Sequence, residues 1–510
     1  MSGNEMSEHD RLLDMFPPHT YEQWRQDVDK QLKGAPFEKV LVKKTYEDID
    51  IQPMYYQRDV EDLPHMGALP GFAPFVRGTK ALGHVVDPWL IAQEIPYGDP
   101  AEFNRAAKAD LERGQNALNV PLDKATLSGL DPDAAKPGEV GRGGLSLATV
   151  DDVAKAFDGI DLVRTPILLQ AGASGLAVMV LIASHMRKQE KSTEKLNGWV
   201  MVDPLGTLSL DGALPNTIEN LYREMAQLTK WAKDNAPRLR TIAIHGHPFR
   251  NGGGSAVQEL AFAVATGVEY LREMLARGIA LDDIAQRIGF AFAAGTDFFM
   301  EIAKLRAARL VWERVMEAFG GNDDSKRMFI HSRTLSWDKT ATDPYVNMLR
   351  VTTEAFAAIC GGCDSLHVAP FDEPLGLPTE FTRRVARNVH IILKDECHFD
   401  KVVDPAGGCW YVETITDTVA RKAWQLFQEI EKRGGMFKAL QEGFPQKQLA
   451  ETSARRAKGI ATRKDAFVGT NKYPNLQEKL PETIQPDFDA LYADRLNQLA
   501  QFRSTIDSDK

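Results

Sequence analysis

Two histidines and four glycines stand together in one stretch, His245-Gly-His-Pro-Phe-Arg-Asn-Gly-Gly-Gly254. Imidazoles two residues apart can share a metal ion, and a glycine-rich turn leaves backbone N–H groups free to bind a phosphate. No cluster of carboxylates lies nearby in the sequence. The stretch therefore leaves three alternatives open: a metal site, a phosphate or nucleotide contact, or a turn with no chemistry of its own.

The four cysteines raise the question of a zinc site. Cys360-Gly-Gly-Cys363 has the spacing of one half of such a site, and Cys397 and Cys409 follow later in the chain. The later two are unpaired and twelve residues apart, which does not match the usual second half. Structural cysteines are the favoured interpretation, and no metal is expected.

Several polar residues follow predicted strands, where a barrel would place them at its mouth. His331, Arg333 and His367 are in such positions. Asp372-Glu373 could act as an acid/base pair, although adjacent carboxylates more often belong to a solvated turn or a helix start. None of these residues indicates a reaction by its spacing alone.

Strands and helices alternate through the middle of the chain, and this pattern must position those residues. Helical periodicity follows most of the predicted strands, for example over 176–188 and 256–276. Eight strands alternating with helices over about 250 residues are typical of a (β/α)8 TIM barrel. The predicted strands are 116–120, 145–148, 167–170, 199–202, 241–245, 289–292, 328–331 and 365–369.

The best-defined helix runs over 298–319, directly after an alternating apolar run at 287–294. Its apolar residues recur at steps of three and four, with charged residues between them, which predicts one buried stripe. The favoured interpretation is an outer-layer helix of an α/β fold with no chemistry of its own.

Composition excludes several classes of protein. Asp plus Glu total 71 against 61 for Lys plus Arg, giving a net charge of -10, and no basic stripe marks a nucleic-acid surface. Four cysteines in 510 residues do not suggest a disulfide-stapled exterior, and the polar N-terminus resembles no leader, so a cytoplasmic location is expected. The uncharged window 165–184 is interrupted by Pro166 and Gly172, which favours a buried strand and helix over a membrane span.

Three parts of the chain differ in composition and sequence pattern. Residues 1–99 are rich in proline and aromatic residues and predict an extended N-terminal arm that contacts another subunit. Residues 100–400 hold the barrel pattern. Residues 401–510 predict a helical region that wraps the barrel or links it to another domain.

Phe298-Phe-Met-Glu-Ile-Ala-Lys-Leu-Arg-Ala-Ala-Arg309 resembles the signature of the adenosylcobalamin-dependent acyl-CoA mutases, above all the methylmalonyl-CoA mutase family. The similarity covers most of the chain from about Phe75 to Pro474 and includes Val402-Val-Asp-Pro-Ala-Gly-Gly and Gly469-Thr-Asn-Lys-Tyr. The resemblance implies a (β/α)8 barrel that holds the acyl-CoA along its axis. It also implies a radical carbon-skeleton rearrangement between methylmalonyl-CoA and succinyl-CoA.

Departures from the family pattern fall on the residues that the resemblance would make functional. Where catalytic members read Arg-Pro-Trp-Thr-Ile-Arg-Gln-Tyr, this chain reads Asp87-Pro-Trp-Leu-Ile-Ala-Gln-Glu94. A carboxylate cannot replace an arginine that binds an anion, and proline in place of the family's histidine offers no side-chain donor. Family positions are replaced at Asp87, Ala92, Glu94, Met201, His247, Pro248 and Ala369, whereas Arg287, His331 and Glu373 are retained.

The lower axial ligand of cobalt is also missing from this sequence. In the family it comes from an Asp-x-His-x-x-Gly motif in a corrin-binding domain after the barrel, and no histidine here has that context. The expected architecture is therefore a barrel with an N-terminal arm and a C-terminal helical linker, with the corrin-binding domain absent. Adenosylcobalamin is expected in a complex through a partner chain and not on this chain alone.

These losses resemble the small, non-catalytic subunit of heterodimeric methylmalonyl-CoA mutases, whose Asp-Pro-Leu-Gly motif is matched at Asp203–Gly206. The resemblance implies a large catalytic subunit as partner, with Trp24, Phe37 and Phe72 as expected interface anchors and no catalytic residues in this chain. The alternative is the substrate-binding barrel of a split acyl-CoA mutase, with cobalamin on a separate chain. In that case Asp87, Glu94 and His247 would face the substrate.

Overall fold

The computed structural model describes residues 19–475 and 477–506. They form two compact units, which divide between Tyr55 and Tyr56. The first 18 residues of the predicted arm lie outside the described residues.

The first unit contains two helices and a small hairpin. Helix Tyr21–Leu32 begins at Thr20, whose side chain accepts a hydrogen bond from the backbone N–H of Gln23. Such a cap satisfies a donor that has no partner within the helix. Helix Phe37–Val40 follows, and the strands Lys43–Lys44 and Asp50–Ile51 pair antiparallel.

Eight parallel strands form the sheet of the second unit, in the order β1-β8-β7-β6-β5-β4-β3-β2. They are β1 (Leu90–Ile91), β2 (Leu118–Pro121), β3 (Ile167–Gly172), β4 (Asn197–Val202), β5 (Arg238–His245), β6 (Ile288–Ala294), β7 (Ile330–Thr334) and β8 (Ser365–His367). The two ends of the sheet meet where Glu94, just after β1, bridges Asn119 of β2. The sheet therefore closes, which confirms the predicted (β/α)8 barrel.

Two of the strand predictions need correction. Residues 145–148 do not form a barrel strand, because only Leu145 makes a bridge, to Leu122 in the loop after β2. The strand that completes the barrel is instead Leu90–Ile91, within the segment predicted to be irregular. Its paired part is only two residues long, which is too short to produce a period-two pattern in the sequence.

Helices cover the outside of the barrel, and several lie close to their predicted ranges. The helix predicted over 256–276 and the one over 298–319 have the predicted bounds. The α-helices of this unit are Pro100–Leu111, Lys124–Leu127, Val150–Ala156, Gly175–Lys188, Pro204–Asp211, Ile218–Asn235, His247–Asn251, Ala256–Ala276, Leu281–Ala285, Phe298–Phe319, Asn347–Cys360, Glu380–Ile391, Trp410–Lys432, Met436–Gln441, Phe444–Ala461 and Phe488–Ser504. Shorter helical turns are Gln57–Asp59, Thr193–Lys195, Ser336–Asp338, Pro344–Val346 and Ile392–Glu396.

Helix Phe298–Phe319 is buried on its charged side as well as on its apolar side. Most of the apolar stripe is buried, as predicted, but Glu301, Lys304, Arg306 and Arg309 are also buried. The helix Trp410–Lys432 packs along it and contributes to this burial. Charges that the sequence pattern would place in solvent therefore form part of the protein interior.

Two carboxylates neutralise Arg306 within this interior. Its Nη2 donates to Glu413 Oε2 at 2.7 Å, and its Nη1 donates to Asp404 Oδ1. Asp404 also accepts from Arg77 at 3.0 Å, and Glu413 Oε2 lies 3.1 Å from His65 Nε2. Burial opposes ionisation of Glu413, but His65 and Arg306 outweigh it and lower the pKa of Glu413 to about 2. The network joins three distant segments of the chain.

No helix among the described residues is long and apolar enough to cross a membrane. The window at 165–184 divides into strand β3 and the helix Gly175–Lys188, as predicted.

Replacing Arg306 by methionine is expected to lower the free energy of unfolding by about 3–5 kcal/mol, because two buried carboxylates lose one of the two arginines that pair with both of them. The change is measured by urea denaturation at neutral pH. Arg314→Met, at an exposed position of the same helix, is the control and is expected to change stability by less than about 0.5 kcal/mol. Equal stability of the two variants would contradict a stabilising role for the network.

Candidate functional site

Apolar side chains fill the axis of the barrel at its middle level. Trp199 on β4 reaches the neighbouring strand, where its indole N–H donates to Ile242 O of β5 at 3.1 Å. A Cβ added to Gly289 of β6 would lie 2.8 Å from the Trp199 ring, and Phe329 packs edge-on against it at 5.8 Å. The buried residues of this cluster are Ala92, Ala117, Leu168, Trp199, Met201, Ala243 and Ala291.

Above this apolar layer, an arginine holds two carboxylates together across the mouth of the barrel. Arg333, at the end of β7, donates from Nε and Nη2 to the two oxygens of Glu94 at 3.2 Å each. Its Nη2 also donates to Glu373 Oε1, and its Nη1 donates to Ser336 Oγ at 2.8 Å. The carboxylates come from β1 and from the loop after β8, so one side chain links three consecutive positions of the ring.

Glu94 has further partners on both sides. Gln170 Nε2 donates to Glu94 Oε1 at 3.0 Å and to Asn119 Oδ1 at 2.9 Å. His367 Nδ1 accepts from the Glu94 backbone N–H at 3.1 Å, so its protonated Nε2 points to Glu94 Oε2 at 3.3 Å. The Glu94 carboxylate is thus bound by side chains from three neighbouring strands.

The pKa shifts of the residues at the barrel mouth agree with this pairing of charges. Burial opposes ionisation of Glu94, but Arg333 and His367 outweigh it, so the pKa of Glu94 is lowered. Burial opposes the charge of Arg333, yet Glu373 and Glu94 raise its pKa. Burial lowers the pKa of His367 to about 4 and that of His331 to about 3, so both imidazoles are neutral at neutral pH.

A second polar group joins β4 and β5. Asp203 Oδ2 accepts from the backbone N–H and from Nδ1 of His245, each at 2.8 Å. Asp203 Oδ1 accepts from the backbone N–H of Gly206 at 2.7 Å and from the hydroxyl of Tyr270. The His245 ring meets the His247 ring edge-on at 5.1 Å. Asp203 therefore fixes the orientation of His245 at the mouth.

The remaining predicted site residues are spread over both ends of the barrel. Asp87 is exposed and precedes β1, at the opposite end from Glu94. Arg287 also lies at that end, where its Nη1 donates to Pro237 O at 2.5 Å and to Leu239 O at 3.2 Å. His331 faces Ser365 Oγ at 2.8 Å, and the backbone N–H of Ala369 donates to Thr334 Oγ1 at 2.8 Å.

The glycine-rich turn after β5 packs against the C-terminal region. A Cβ on Gly253 would lie 2.7 Å from Ser453, and one on Gly254 would lie 2.5 Å from Leu449. Both contacts are with helix Phe444–Ala461, and the positive φ of Gly253 also favours glycine. Close packing of the helix accounts for these two glycines. His247 and Pro248 begin the short helix in this turn and are half-buried.

The structure also shows where the four cysteines and the adjacent carboxylates Asp372 and Glu373 lie. Cys360 and Cys363 are buried free thiols, and Cys397 and Cys409 are exposed. Within residues 19–475 and 477–506, no group of three or more His, Cys, Asp or Glu side chains is placed to hold a metal ion. Asp372 is buried and does not join the ion pair of Glu373.

Sequence reasoning identified most of the mouth residues separately but did not connect them. Glu94, Arg333 and Glu373 were all candidates, yet the bridge between them was not predicted. Gln170 and Asn119 were not predicted as site residues, and the pairing of the candidate His245 with Asp203 was not predicted. Asn119 and Gln170 lie within β2 and β3, whereas His245 ends β5 and Asp203 directly follows β4, so a strand-end position was the available signal for the last two.

Comparisons with known proteins agree with this architecture. The profile of the methylmalonyl-CoA mutase family matches residues 44–510. The chain is 36% identical over 493 residues to methylmalonyl-CoA mutase of Rhizobium meliloti, covering 96% of this chain and 69% of that protein. It is 35% identical to the Escherichia coli enzyme, covering 95% and 68%, and 34% identical to the mitochondrial human enzyme, covering 99% and 67%. The chain belongs to the methylmalonyl-CoA mutase family.

Because His367 is neutral in the folded state and has an ordinary pKa near 6.5 when unfolded, the unfolded chain binds the extra proton first as pH falls. Its contribution to stability is therefore lost from about pH 6.5 down to about pH 4, at up to about 1.4 kcal/mol per pH unit. His367→Asn is expected to show a smaller loss between pH 7 and pH 5 in urea denaturation. If the free energy of unfolding fell equally between pH 7 and pH 5 in the variant and in the unaltered chain, this assignment to His367 would be contradicted.

Proposed function

We propose that this member of the methylmalonyl-CoA mutase family is the non-catalytic small subunit of a heterodimeric mutase. It would support a large subunit that interconverts methylmalonyl-CoA and succinyl-CoA with adenosylcobalamin. The observation that carries the proposal is the filled barrel axis, because the family resemblance implies that acyl-CoA lies along that axis. Trp199 is 1% exposed and occupies this space.

Three further replacements support the same proposal. Asp87 has the wrong charge to bind the anionic groups of an acyl-CoA. Glu94 stands in place of the tyrosine and is bound by Arg333. Pro248 has no side-chain donor for a thioester carbonyl. The losses affect both ends of the barrel, so restoring any one residue would not rebuild the site.

The residues of this chain do not fit adenosylcobalamin. At the mouth, Glu94 and Arg333 are already paired with each other and with neighbouring side chains. We therefore assign the cofactor to the partner chain and give this chain no step in the radical reaction.

An exposed apolar segment before the barrel supports a role in assembly. Leu69, Phe72, Leu82 and Val86 are each between 60% and 65% exposed. Exposed apolar side chains grouped in one segment commonly mark a protein interface. Phe72 thus suits its expected role as an anchor, whereas Phe37 is buried and packs edge-on against Trp24 at 6.3 Å.

The second candidate is the substrate barrel of a split acyl-CoA mutase. The polar ring of Glu94, Arg333 and His245 at the mouth is the observation that favours it. A different acyl-CoA would then have to bind without entering the axis past Trp199. Residues Asp87, Glu94 and His247 would determine its specificity.

Native mass spectrometry of the complex purified from its source through this chain distinguishes the two proposals. The expected companion is large enough for a barrel and a corrin-binding domain and carries cobalamin. A small, single-domain cobalamin carrier as the companion would instead favour the split enzyme and overturn the small-subunit proposal.

Isothermal titration of the isolated chain with methylmalonyl-CoA is expected to show no binding, because Trp199 and its neighbours fill the axis. The Escherichia coli methylmalonyl-CoA mutase, titrated under the same conditions, is the positive control. Micromolar binding by this chain would contradict the filled-axis argument, and a Trp199→Thr variant would then show whether the ligand enters the axis.

A further inference from the structure

Helix Phe488–Ser504 lies against the outside of the barrel through a single row of side chains. Leu491, Arg495, Leu499 and Arg503 follow one another at steps of four, which places them along one face of the helix. Of the 17 residues of this helix, only Arg495 and Leu499 are buried. The helix therefore covers the barrel without becoming part of its core.

Arg495 makes a buried, bidentate ion pair with Asp152. The arginine is 1% exposed, and its two Nη atoms donate to the two oxygens of Asp152 at 2.6 and 2.7 Å. Burial opposes ionisation of Asp152, but Arg495 outweighs it, so the pKa of Asp152 is lowered. Removing one partner of such a pair leaves an uncompensated buried charge, so this contact holds the helix strongly.

The other contacts of the row are shallower. A Cβ added to Gly141 would collide with Leu491, so this leucine fits a notch that only glycine leaves open. The Arg503 side chain is 50% exposed and donates to Asp131 Oδ2 at 3.0 Å and to Asp133 Oδ2 at 2.5 Å. Exposed ion pairs contribute little to stability. Docking of the helix thus depends mainly on the buried ion pair.

On another side the helix faces a cavity of about 710 Å³. Helices Pro100–Leu111 and Glu380–Ile391 contribute other walls of this cavity. Leu491 and Asp494 line it from helix Phe488–Ser504. One flank of the helix therefore borders a void instead of a packed neighbour, and movement of the helix would open the cavity to solvent.

Negative charge exceeds positive charge in the lining of the cavity. Five carboxylates line it from the three helices and their N-caps: Asp99, Glu102, Glu380, Asp487 and Asp494. Two arginines also line it, and one of them, Arg383, is already paired with Asp110 at 3.0 Å. Helix N-termini offset part of the negative charge, but Asp494 lies beyond the first turn of its helix. Repulsion between like charges therefore opposes closure of the helix over the cavity.

The segment that leads into the helix has few contacts to hold it. Residues 477–487 are mostly exposed. A bridge between Ile484 and Leu377, and a hydrogen bond from Gln485 Nε2 to Leu375 O at 3.2 Å, join the segment to the loop after β8. Breaking these contacts would let the segment move together with the helix.

We propose that helix Phe488–Ser504 is a releasable strap, which closes the cavity when Arg495 is paired with Asp152 and opens it when that pair breaks. A released helix of 17 residues is marginally stable in water, so the whole strap then loses its helical hydrogen bonds together. The proposal does not depend on whether the chain is catalytic, because none of the lining residues belongs to the Glu94–Arg333–Glu373 group.

The test is hydrogen–deuterium exchange of the full chain, measured by mass spectrometry of its peptides. The amides of the strap are expected to share one protection factor, at least tenfold below that of helix Phe298–Phe319. A common value indicates concerted release, whereas fraying would give protection that falls gradually toward one end of the helix.

Arg495→Met is expected to lower the protection of the strap at least a further tenfold, because Asp152 loses its buried cation, while helix Phe298–Phe319 keeps its protection. Gln501→Met is the matched control, since Gln501 is exposed on the same helix, and it is expected to change nothing. Asp494→Asn is expected to raise the protection of the strap about two- to fivefold, because it removes one of the repelling charges.

A cysteine probe measures access to the cavity separately. Ala106 lines the cavity and is 6% exposed. In a chain with Ala106→Cys, alkylation of this thiol by iodoacetamide is expected to be at least tenfold faster when Arg495→Met is added. Peptide mass spectrometry distinguishes this thiol from the exposed native Cys397 and Cys409.

Several results would each overturn the proposal. They are strap protection equal to that of helix Phe298–Phe319, graded protection along the strap, and no effect of Arg495→Met on exchange or on alkylation. Equal loss of protection in both helices would show global unfolding instead of local release, and lower protection in Asp494→Asn would contradict the repulsion across the cavity. The native mass spectrum tests the partner and these rates test the strap, so this proposal and the proposed function can fail separately.

Discussion

The buried ion pairs of helix Phe298–Phe319 are the constraint on which the rest of the structure depends. Arg306 binds Asp404 and Glu413, and Arg309 donates to the carbonyl oxygens of Phe75 and Gly361. These partners come from the segment before the barrel, from the loop before β8 and from the C-terminal region. Removing a charge from water costs several kcal/mol, so the charged side of the helix is stable only when all these segments are in place. The network therefore makes folding of the barrel and docking of its flanking segments interdependent.

Inside the barrel, close packing stabilises one layer of side chains and charge pairing stabilises the layer above it. In the middle layer Trp199 crosses from β4 to β6 and makes the axis a packed apolar core. In the upper layer Arg333 and Glu94 compensate each other's charge. A polar channel for a ligand would need unpaired groups and open space at both levels, and here packing and pairing take up the space instead. Both layers thus stabilise the barrel interior.

The sequence predicts the barrel well because strand alternation and helix periodicity survive at most positions, as in the helix 298–319. Its errors have local physical causes. Leu90–Ile91 is too short to show a period, and the alternating segment 145–148 makes a single bridge, from Leu145 to Leu122. The bridge from Arg333 to Glu94 joins residues 239 positions apart, and no local pattern encodes that contact. Individual site positions can be read from strand ends, but their pairing depends on barrel closure.

The two arginine groups of this protein show why charge balance is more informative than charge count. Arg333 faces two carboxylates, and the ring at the mouth is saturated. Arg383 and Arg387 share Asp110, and one guanidinium nitrogen beside the cavity stays unused. The Arg333 side chain is 16% exposed and the Arg383 side chain is 5% exposed, so the pair with Asp110 is the more deeply buried of the two. A saturated group needs no ligand to be stable, whereas an undersaturated buried cation gains stability from any anion that reaches it. Saturation of Arg333 by Glu94 and Glu373 therefore stabilises the barrel mouth without a ligand.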